Sequence, residues 1–210
     1  MKLNQAQILE IDRFLQFLGV KFMDVRLELI DHLASEFEND SKYVLLGDFL
    51  RTKGNFVRSY QKNLHNKRHW GHQKALFKQT LQFFTDLRYL CISILLGAVI
   101  YLAFHVLDKN ILPYLFIGTL AVPQIVAYYV YLRPKGMYKK IQSAQYLMSI
   151  MSLPSLFLYT NGIYIGWLKE HPTYFMVFWF FVIIFNVAGV LEVLRSKKGI
   201  VKQYRNLIYN

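Results

Sequence analysis

The densest group of chemically active side chains lies in the stretch DVRLELIDHLASEFEND, residues 24–40. Glu28, His32 and Glu36 recur at every fourth position, so a helix would carry all three on one face. Such a row can hold a metal ion, lie in solvent, or meet a basic surface on a partner or in the same chain. A closed metal site needs about four ligands, and no second ligand cluster accompanies the row. We therefore expect a structural and recognition face here, with no bound metal.

A second group of titratable side chains occurs in LHNKRHWGH, residues 64–72. His65, His69 and His72 share one stripe if a helix continues through Gly71, and three imidazoles can bind a metal ion or respond to pH. Neighbouring cations oppose a bound metal ion. We interpret the segment as a basic stem lying on anionic lipid headgroups, which is typical of basic stretches beside a membrane span. The residues assigned to headgroups are Lys67, Arg68, Trp70, Lys74 and Lys78.

The chain as a whole has the composition of a membrane protein. Of its 210 residues 54% are hydrophobic, and 25 Lys and Arg oppose 13 Asp and Glu. A helix needs about 20 mostly apolar residues to cross roughly 30 Å of hydrocarbon. Four segments meet this requirement, and the third is the weakest because SLPSLFLYTNGIY places polar residues and a proline inside it. The predicted spans are residues 89–107, 111–132, 144–168 and 173–194.

The loops between these spans predict their orientation. Basic residues concentrate in residues 133–140 and 195–205, whereas the loops DKN and KEHP are short and carry one lysine and one acidic residue each. Loops rich in Lys and Arg stay in the cytoplasm. We therefore expect both termini to be cytoplasmic, in a multi-pass protein of the plasma membrane.

Polar residues inside the spans form a candidate layer. Gln124 and Asn186 each lie eight residues before a predicted cytoplasmic span end, and Ser149 and Ser152 reach a similar depth. Amides and hydroxyls at one depth can hydrogen-bond across helices and fix their packing. The alternative is a substrate or ion path in a transporter or channel subunit, which would more often carry an ionisable residue at mid-depth.

The N-terminal segment is predicted to form a small helical bundle. Asn4 and Gln7 form a potential capping box, Gly19 can end the first helix, and Asp24 can cap the second. Along that second helix the polar side carries Asp24, Glu28, Asp31, Ser35 and Glu38. The predicted architecture is an all-α integral membrane protein, a four-transmembrane-helix bundle with an N-terminal cytoplasmic helical module. Its predicted parts are the module (residues 1–70), a basic juxtamembrane stem (71–88), the transmembrane domain (89–194) and a basic cytoplasmic tail (195–210).

The stretch VKFMDVRLELIDHLASEFE precedes a short helix ending in Lys-Gly and then an aromatic and basic helix. This arrangement resembles small bacterial membrane proteins that carry an N-terminal helical module of the HAAS signalling type. The resemblance covers about the first third of the chain and implies a bacterial inner membrane. Such proteins are often encoded beside PadR-like transcription regulators, which implies membrane-linked regulation. The matching positions are Asp24, Arg26, Glu28, Asp31, His32, Glu36 and Glu38.

The sequence predicts a regulatory or accessory protein without catalytic residues or a cofactor. It contains no phosphate loop, nucleophile elbow, HExxH helix or dinucleotide fingerprint. Positive-inside topology accounts for most of the basic excess, so we expect membrane lipids and a protein partner, and no direct contact with nucleic acid. The residues predicted to bind the protein partner are Asp24, Glu28, Asp31, His32 and Glu38.

Overall fold

The computed structural model describes residues 3–40, 42–133 and 136–206, and all regular secondary structure in these ranges is helical. The helices are α1 (Gln5–Phe17), α2 (Met23–Asn39), α3 (Leu46–Thr52), α4 (Gly54–Thr85), α5 (Leu87–Val106), α6 (Leu112–Tyr131), α7 (Met137–Lys140), α8 (Gln142–Gln145), α9 (Ser152–Tyr159), α10 (Asn161–Glu170) and α11 (Pro172–Gln203). A 3-10 helix (Tyr146–Met151) lies between α8 and α9. The described part of the chain is thus all-α, as its sequence predicts. Residues 207–210 of the predicted tail lie outside the described ranges.

The described residues divide into two compact units. The first unit comprises residues 3–40, 42–68, 136–145 and 200–206, and the second comprises residues 69–133 and 146–199. The first unit is therefore discontinuous in sequence. A segment from the middle of the chain and another from the C-terminal tail join the N-terminal helices, two contributions that hydrophobic periodicity did not indicate.

The first unit is built around the apolar sides of its N-terminal helices. α1 begins with the expected capping box, in which Asn4 and Gln7 each accept the other's backbone N–H at 2.9 Å. The chain leaves α1 through Gly19, whose φ of +81° is a conformation that glycine adopts without strain. The buried core side chains include Ile11, Leu15, Val25, Leu29, Leu33, Phe49 and Val57. From the later segment of the unit, Met137, Ile141 and Ala144 are also buried.

Three helices of the described ranges are long and apolar enough to cross a membrane, namely α5, α6 and α11. The first two match the predicted spans closely, and α11 extends the predicted fourth span to Gln203. Only 11% of the most apolar window of α5 and 17% of that of α6 is buried inside the protein. Most of their apolar side chains are exposed, an arrangement that is stable in hydrocarbon and costly in water. These are features of an integral membrane protein.

Aromatic rings form the centre of the second unit. Phe116 packs against Phe175 and Trp179, with ring centroids 5.5 and 5.9 Å apart, and Phe104 packs against Phe175 at 5.3 Å. The indole N–H of Trp179 donates to the hydroxyl of Thr119 at 2.9 Å, which satisfies the one polar group of this cluster's largest side chain. These contacts join α5, α6 and α11.

The predicted third span, residues 144–168, is not one helix in the structure. It divides into the end of α8, the 3-10 helix, α9 and most of α10. Pro154 in the first turn of α9 lacks an N–H and so tolerates a new helix start there. The break after α9 is stabilised by Thr160 and Asn161, whose side chains donate to the carbonyls of Leu156 and Leu158. The polar residues that weakened the prediction are those that interrupt the helix.

The predicted stem, residues 71–88, is mostly part of a long helix. α4 continues through Gly71 to Thr85, and Asp86 then caps α5 by accepting the N–H of Arg88 at 3.0 Å. Within the second unit Phe77 packs against Phe185 with centroids 5.7 Å apart. This helix therefore has one side packed against α11 and another side that carries exposed lysines.

Candidate functional site

The carboxylate of Asp24 is the most constrained acidic group of α2. Asp24 is only 2% exposed. Its Oδ1 accepts the backbone N–H of Gln142 at 2.9 Å, and its Oδ2 accepts the N–H and the hydroxyl of Ser143 at 3.1 and 2.9 Å. The expectation that Asp24 caps α2 and faces outward is therefore wrong. Phe22 is the N-cap residue of α2, and Asp24 lies inside the first turn, where its side chain binds the start of α8 instead.

Arg68 neutralises this buried carboxylate. One guanidinium nitrogen donates to Asp24 Oδ2 at 3.0 Å and to the side-chain oxygen of Gln142 at 2.7 Å, and the other lies 3.6 Å from Glu28 Oε2. The Arg68 side chain is 14% exposed. The assignment of Arg68 to lipid headgroups is therefore wrong, because two carboxylates on successive turns of α2 hold the guanidinium inside the first unit. This arrangement matches one of the open alternatives, in which the acidic face binds a basic segment of the same chain.

Two tyrosines complete the surroundings of this ion pair. Tyr60 donates its hydroxyl hydrogen to Glu28 at 2.7 Å. Burial, together with this bond to a carboxylate, raises the pKa of Tyr60 to about 12, so its hydroxyl stays protonated as a donor. Burial also raises the pKa of Tyr204 in the C-terminal segment, and the charge of Asp24 adds to the increase. The first unit thus brings Arg68 of α4 and the start of α8 to one carboxylate of α2.

The remaining partner-binding candidates are more exposed. Glu38 accepts the backbone N–H of Leu3 at 2.8 Å at the surface. Asp31 and His32 are exposed, and the His32 ring packs beside Phe56 and Tyr60 with centroids 5.7 and 5.9 Å apart. The polar side of α2 is therefore divided into a part that binds Arg68, at buried Asp24 and half-exposed Glu28, and an outward part that begins at Asp31.

The other lipid-headgroup candidates are exposed. Lys67, Trp70, Lys74 and Lys78 all lie on solvent-accessible parts of α4, and the ring of Trp70 is 5.7 Å from that of His69. Among the described residues, no three or more His, Cys, Asp or Glu side chains are grouped so that they could hold a metal ion.

The polar layer of the spans separates into two clusters. Gln124 donates to Asn186 at 2.7 Å and accepts the hydroxyl hydrogen of Ser155 at 2.9 Å. Ser149 and Ser152 do not join this pair, because the side-chain amide of Gln73 on α4 donates to the backbone carbonyl of Ser149 and to the hydroxyl of Ser152. The sequence analysis did not identify Ser155 or Gln73. Gln73 lies in a segment interpreted as a surface stem, and nothing in the local sequence indicates that it is buried. Side-chain groups in both clusters bond to each other, which is the arrangement expected of interhelical packing.

The sequence analysis did not identify the residues around Asp24, for a similar reason. Gln142 and Ser143 stand more than one hundred positions from Asp24, beyond two predicted spans. Locally, these two residues are only polar positions that precede a short apolar segment. Many loops contain such positions, so the pattern does not predict a contact with Asp24. Hydrophobic periodicity places Tyr60 on an apolar face of α4 and does not show that its hydroxyl bonds to the Glu28 carboxylate.

Asp24→Asn should release the segment at residues 136–145. The amide keeps the side chain's shape but removes the charge that faces Arg68, and its NH2 group would oppose the N–H donors of Gln142 and Ser143. Breaking a buried ion pair by changing one partner costs roughly 3–5 kcal/mol. Limited trypsin digestion of the full-length protein should then cleave faster after Lys139 and Lys140, which are exposed.

Asp48→Asn provides the matched control for this experiment. Its ion pair with Arg51 joins side chains that are 58% and 85% exposed, and such pairs contribute at most about 1 kcal/mol. Digestion of this variant should follow the wild type. Equal cleavage rates for Asp24→Asn and the wild type would contradict the anchoring role of the Asp24 carboxylate.

Asn186→Leu should lower the thermal unfolding temperature of the protein in detergent. The change removes the acceptor of the Gln124 amide inside the helix bundle, and such interhelical hydrogen bonds average about 0.6 kcal/mol. Adding Gln124→Leu should cost less than the sum of the two single changes, because the two amides share one interaction. Asn110→Leu, at an exposed position, is the control. Additive effects of the two changes would exclude a direct coupling.

No protein-family model, curated protein or solved structure matches this chain. Its function is to be inferred from its own side chains. Two groups differ most clearly in chemistry: the carboxylate of Asp24, which is buried and fully engaged, and the outward part of α2 from Asp31 onward, which is polar and exposed.

Proposed function

We propose that this chain is a non-enzymatic regulatory or accessory protein of the bacterial inner membrane, whose cytoplasmic helical module binds a protein partner. The observation that carries the proposal is the exposed polar surface of α2. Asp31 and His32 lie in solvent on that surface, while the acidic residues one and two turns earlier are engaged by Arg68. The resemblance of residues 20–38 to HAAS-type signalling modules supports the same reading.

The net charge of the chain makes an exposed acidic surface unusual. The protein has a formal net charge of +12, so an exposed acidic surface is an exception within it. Positive charge near a membrane is explained by orientation and by anionic headgroups. Negative charge at the same side has no such use, and it is repelled by the headgroups. A complementary basic surface on a protein partner would instead be attracted and oriented by it.

The discontinuous first unit supports the proposed topology. One compact unit contains residues 3–40, 42–68, 136–145 and 200–206. Within it, Asp24 bonds directly to Gln142 and Ser143. Parts of one unit in water lie on one side of the membrane. The chain must then cross an even number of times between each pair of these segments. α5 and α6 supply two crossings between the first and the second segment.

The same parity applies to the second interval. α11 alone would supply one crossing between residues 145 and 200, so the chain needs another. The 3-10 helix, α9 and α10 in series run from Tyr146 to Glu170 and are the available segment. Broken helices are tolerated at membrane depth where protein surrounds them, and Met151 and Pro154 are buried. We infer a four-span bundle whose third crossing is interrupted, with both termini in the cytoplasm.

Reporter fusions at His171 test the third crossing. A reporter there should be exposed outside the cell, because the segment before α11 has to cross for residues 200–206 to return to the first unit. Fusions at Asn110 and Gly136 serve as references and should report outside and inside, respectively. A fusion at Asn210, which lies beyond the described residues, should report inside. A cytoplasmic reporter at His171 would contradict the four-span count.

Asp31→Lys should abolish recruitment of the protein partner. The substitution inverts the charge of an exposed side chain without touching Arg68 or its carboxylates, so the fold should be retained. Copurification from gently solubilised membranes, followed by mass spectrometry, compares the partners of the variant with those of the wild type. Asp48→Lys, an exposed charge reversal on α3, should keep the full set. Recovery of every wild-type partner with Asp31→Lys would refute the proposed binding surface.

A further inference from the structure

A groove lies on the first unit between the outward side of α2 and the start of α4. Its volume is about 670 Å³, and it opens to solvent. The side chains that line it combine carboxylates, neutral polar groups and two rings: His32, Ser35, Glu36, Asn39, Asp40 and Phe56. It therefore lies on the surface that the proposed function assigns to a protein partner, and its lining indicates what that partner presents.

We propose that this groove binds an arginine side chain of the protein partner. The inference rests on the proposed function and specifies its recognition chemistry. A guanidinium is planar, always charged and carries five N–H donors in a fixed fork. It binds best where a flat ring and several spread acceptors meet, and the groove offers both.

The rings provide the flat surface. Phe56, His32 and Tyr60 pack with their centroids 5.7 to 5.9 Å apart, so the rings hold one another in place. Phe56 and His32 both line the groove, so a guanidinium bound in it has aromatic carbon and carboxylates within the same lining. Stacking on such rings suits guanidinium, which is more weakly hydrated than an ammonium group.

The acceptors lie at several points of the groove lining. Asn39 donates its NH2 group to the carbonyl of Ser35 at 2.8 Å, an orientation that leaves its oxygen as the acceptor for an incoming donor. Asp40 uses Oδ1 to accept the N–H of Lys42 at 2.9 Å, and its second oxygen adds further acceptor capacity. Several acceptors at separate positions match the fork of an arginine better than the single ammonium of a lysine.

The cations near the groove leave it negative. Lys53 forms an ion pair with Glu36 and lies 4.7 Å from the centroid of the Phe49 ring, so it compensates one of the two lining carboxylates. Lys42 follows Asp40 in sequence, but its ammonium lies over the ring of Tyr43 at 5.6 Å. The charge of Asp40 therefore remains for a ligand, and exposed Asp31 is one turn before Ser35 on the same face of α2.

The test uses the full-length protein in nanodiscs of phosphatidylcholine, labelled with ¹³C-histidine for NMR spectroscopy. N-acetyl-arginine amide should shift the His32 resonance saturably, and the resonance is assigned with His32→Ala. N-acetyl-citrulline amide has a similar shape without the charge and should give no saturable shift. N-acetyl-lysine amide should bind more weakly than the arginine probe.

Two variants identify the groove as the binding site. Asp40→Asn keeps the acceptor used by Lys42 but removes the charge, and it should weaken arginine binding roughly two- to fivefold, as expected for an exposed ion pair. Asp48→Asn should leave the affinity unchanged. Equal shifts with arginine and citrulline, or equal effects of the two variants, would overturn the inference.

Partner recovery separates this inference from the proposed function. If Asp31→Lys loses the partner but the arginine probe fails to bind, the groove assignment is wrong and the partner-binding function stands. If the groove instead holds a second copy of this chain, mass photometry should show a wild-type dimer that Asp40→Asn dissociates, and the assignment to another protein would be wrong. A monomeric wild type with a saturable arginine shift supports the inference.

Discussion

The burial of one carboxylate constrains the first unit more than any other interaction. An isolated ionised carboxylate away from water is costly by many kcal/mol, and only close charges and hydrogen bonds offset that cost. Asp24 has both, from Arg68 and from the backbone and hydroxyl donors of Gln142 and Ser143. The donors come from α4 and α8, so satisfying this one group of α2 requires all three helices to be assembled together.

That requirement links the module to the topology of the spans. In the proposed topology, the segment that follows α6 returns to the same aqueous side as α2, since its N–H groups bind Asp24. The basic residues around this segment favour the cytoplasm independently of any folding. Two unrelated effects, charge retention at the membrane and satisfaction of a buried carboxylate, thus favour the same side for residues 136–145.

Local signals in the sequence were sufficient for much of the fold. The Asn4 capping box, the left-handed Gly19 and the bounds of α5 and α6 depend on neighbouring residues or on a continuous apolar run, and the structure confirms them. The role of Asp24 depends on residues far along the chain, which helical periodicity cannot indicate. An amphipathic pattern assigned Asp24 to the solvent side, because polar residues are assumed to face water unless a partner is known.

The sequence also did not show where the third apolar segment is interrupted. Hydropathy predicted a span over residues 144–168, but hydropathy averages over Pro154, Thr160 and Asn161 and does not detect where a helix breaks. Each of these residues acts locally, through a missing N–H or a side chain that bonds to a backbone carbonyl. Composition therefore indicated an apolar segment, while side-chain hydrogen bonding decided its helical continuity.

The polar side of α2 combines a structural ion pair and the proposed recognition surface along one helix. Its first turns are used internally, where Asp24 and Glu28 hold Arg68, and this fixes the orientation of the helix within the unit. Residues from Asp31 onward are held outward as a consequence, because helical geometry determines their direction once the first turns are fixed. A surface supported in this way is preorganised, and a partner that binds it has less conformational entropy to offset. In the proposed function, the buried ion pair would thus contribute to recognition without contacting the partner.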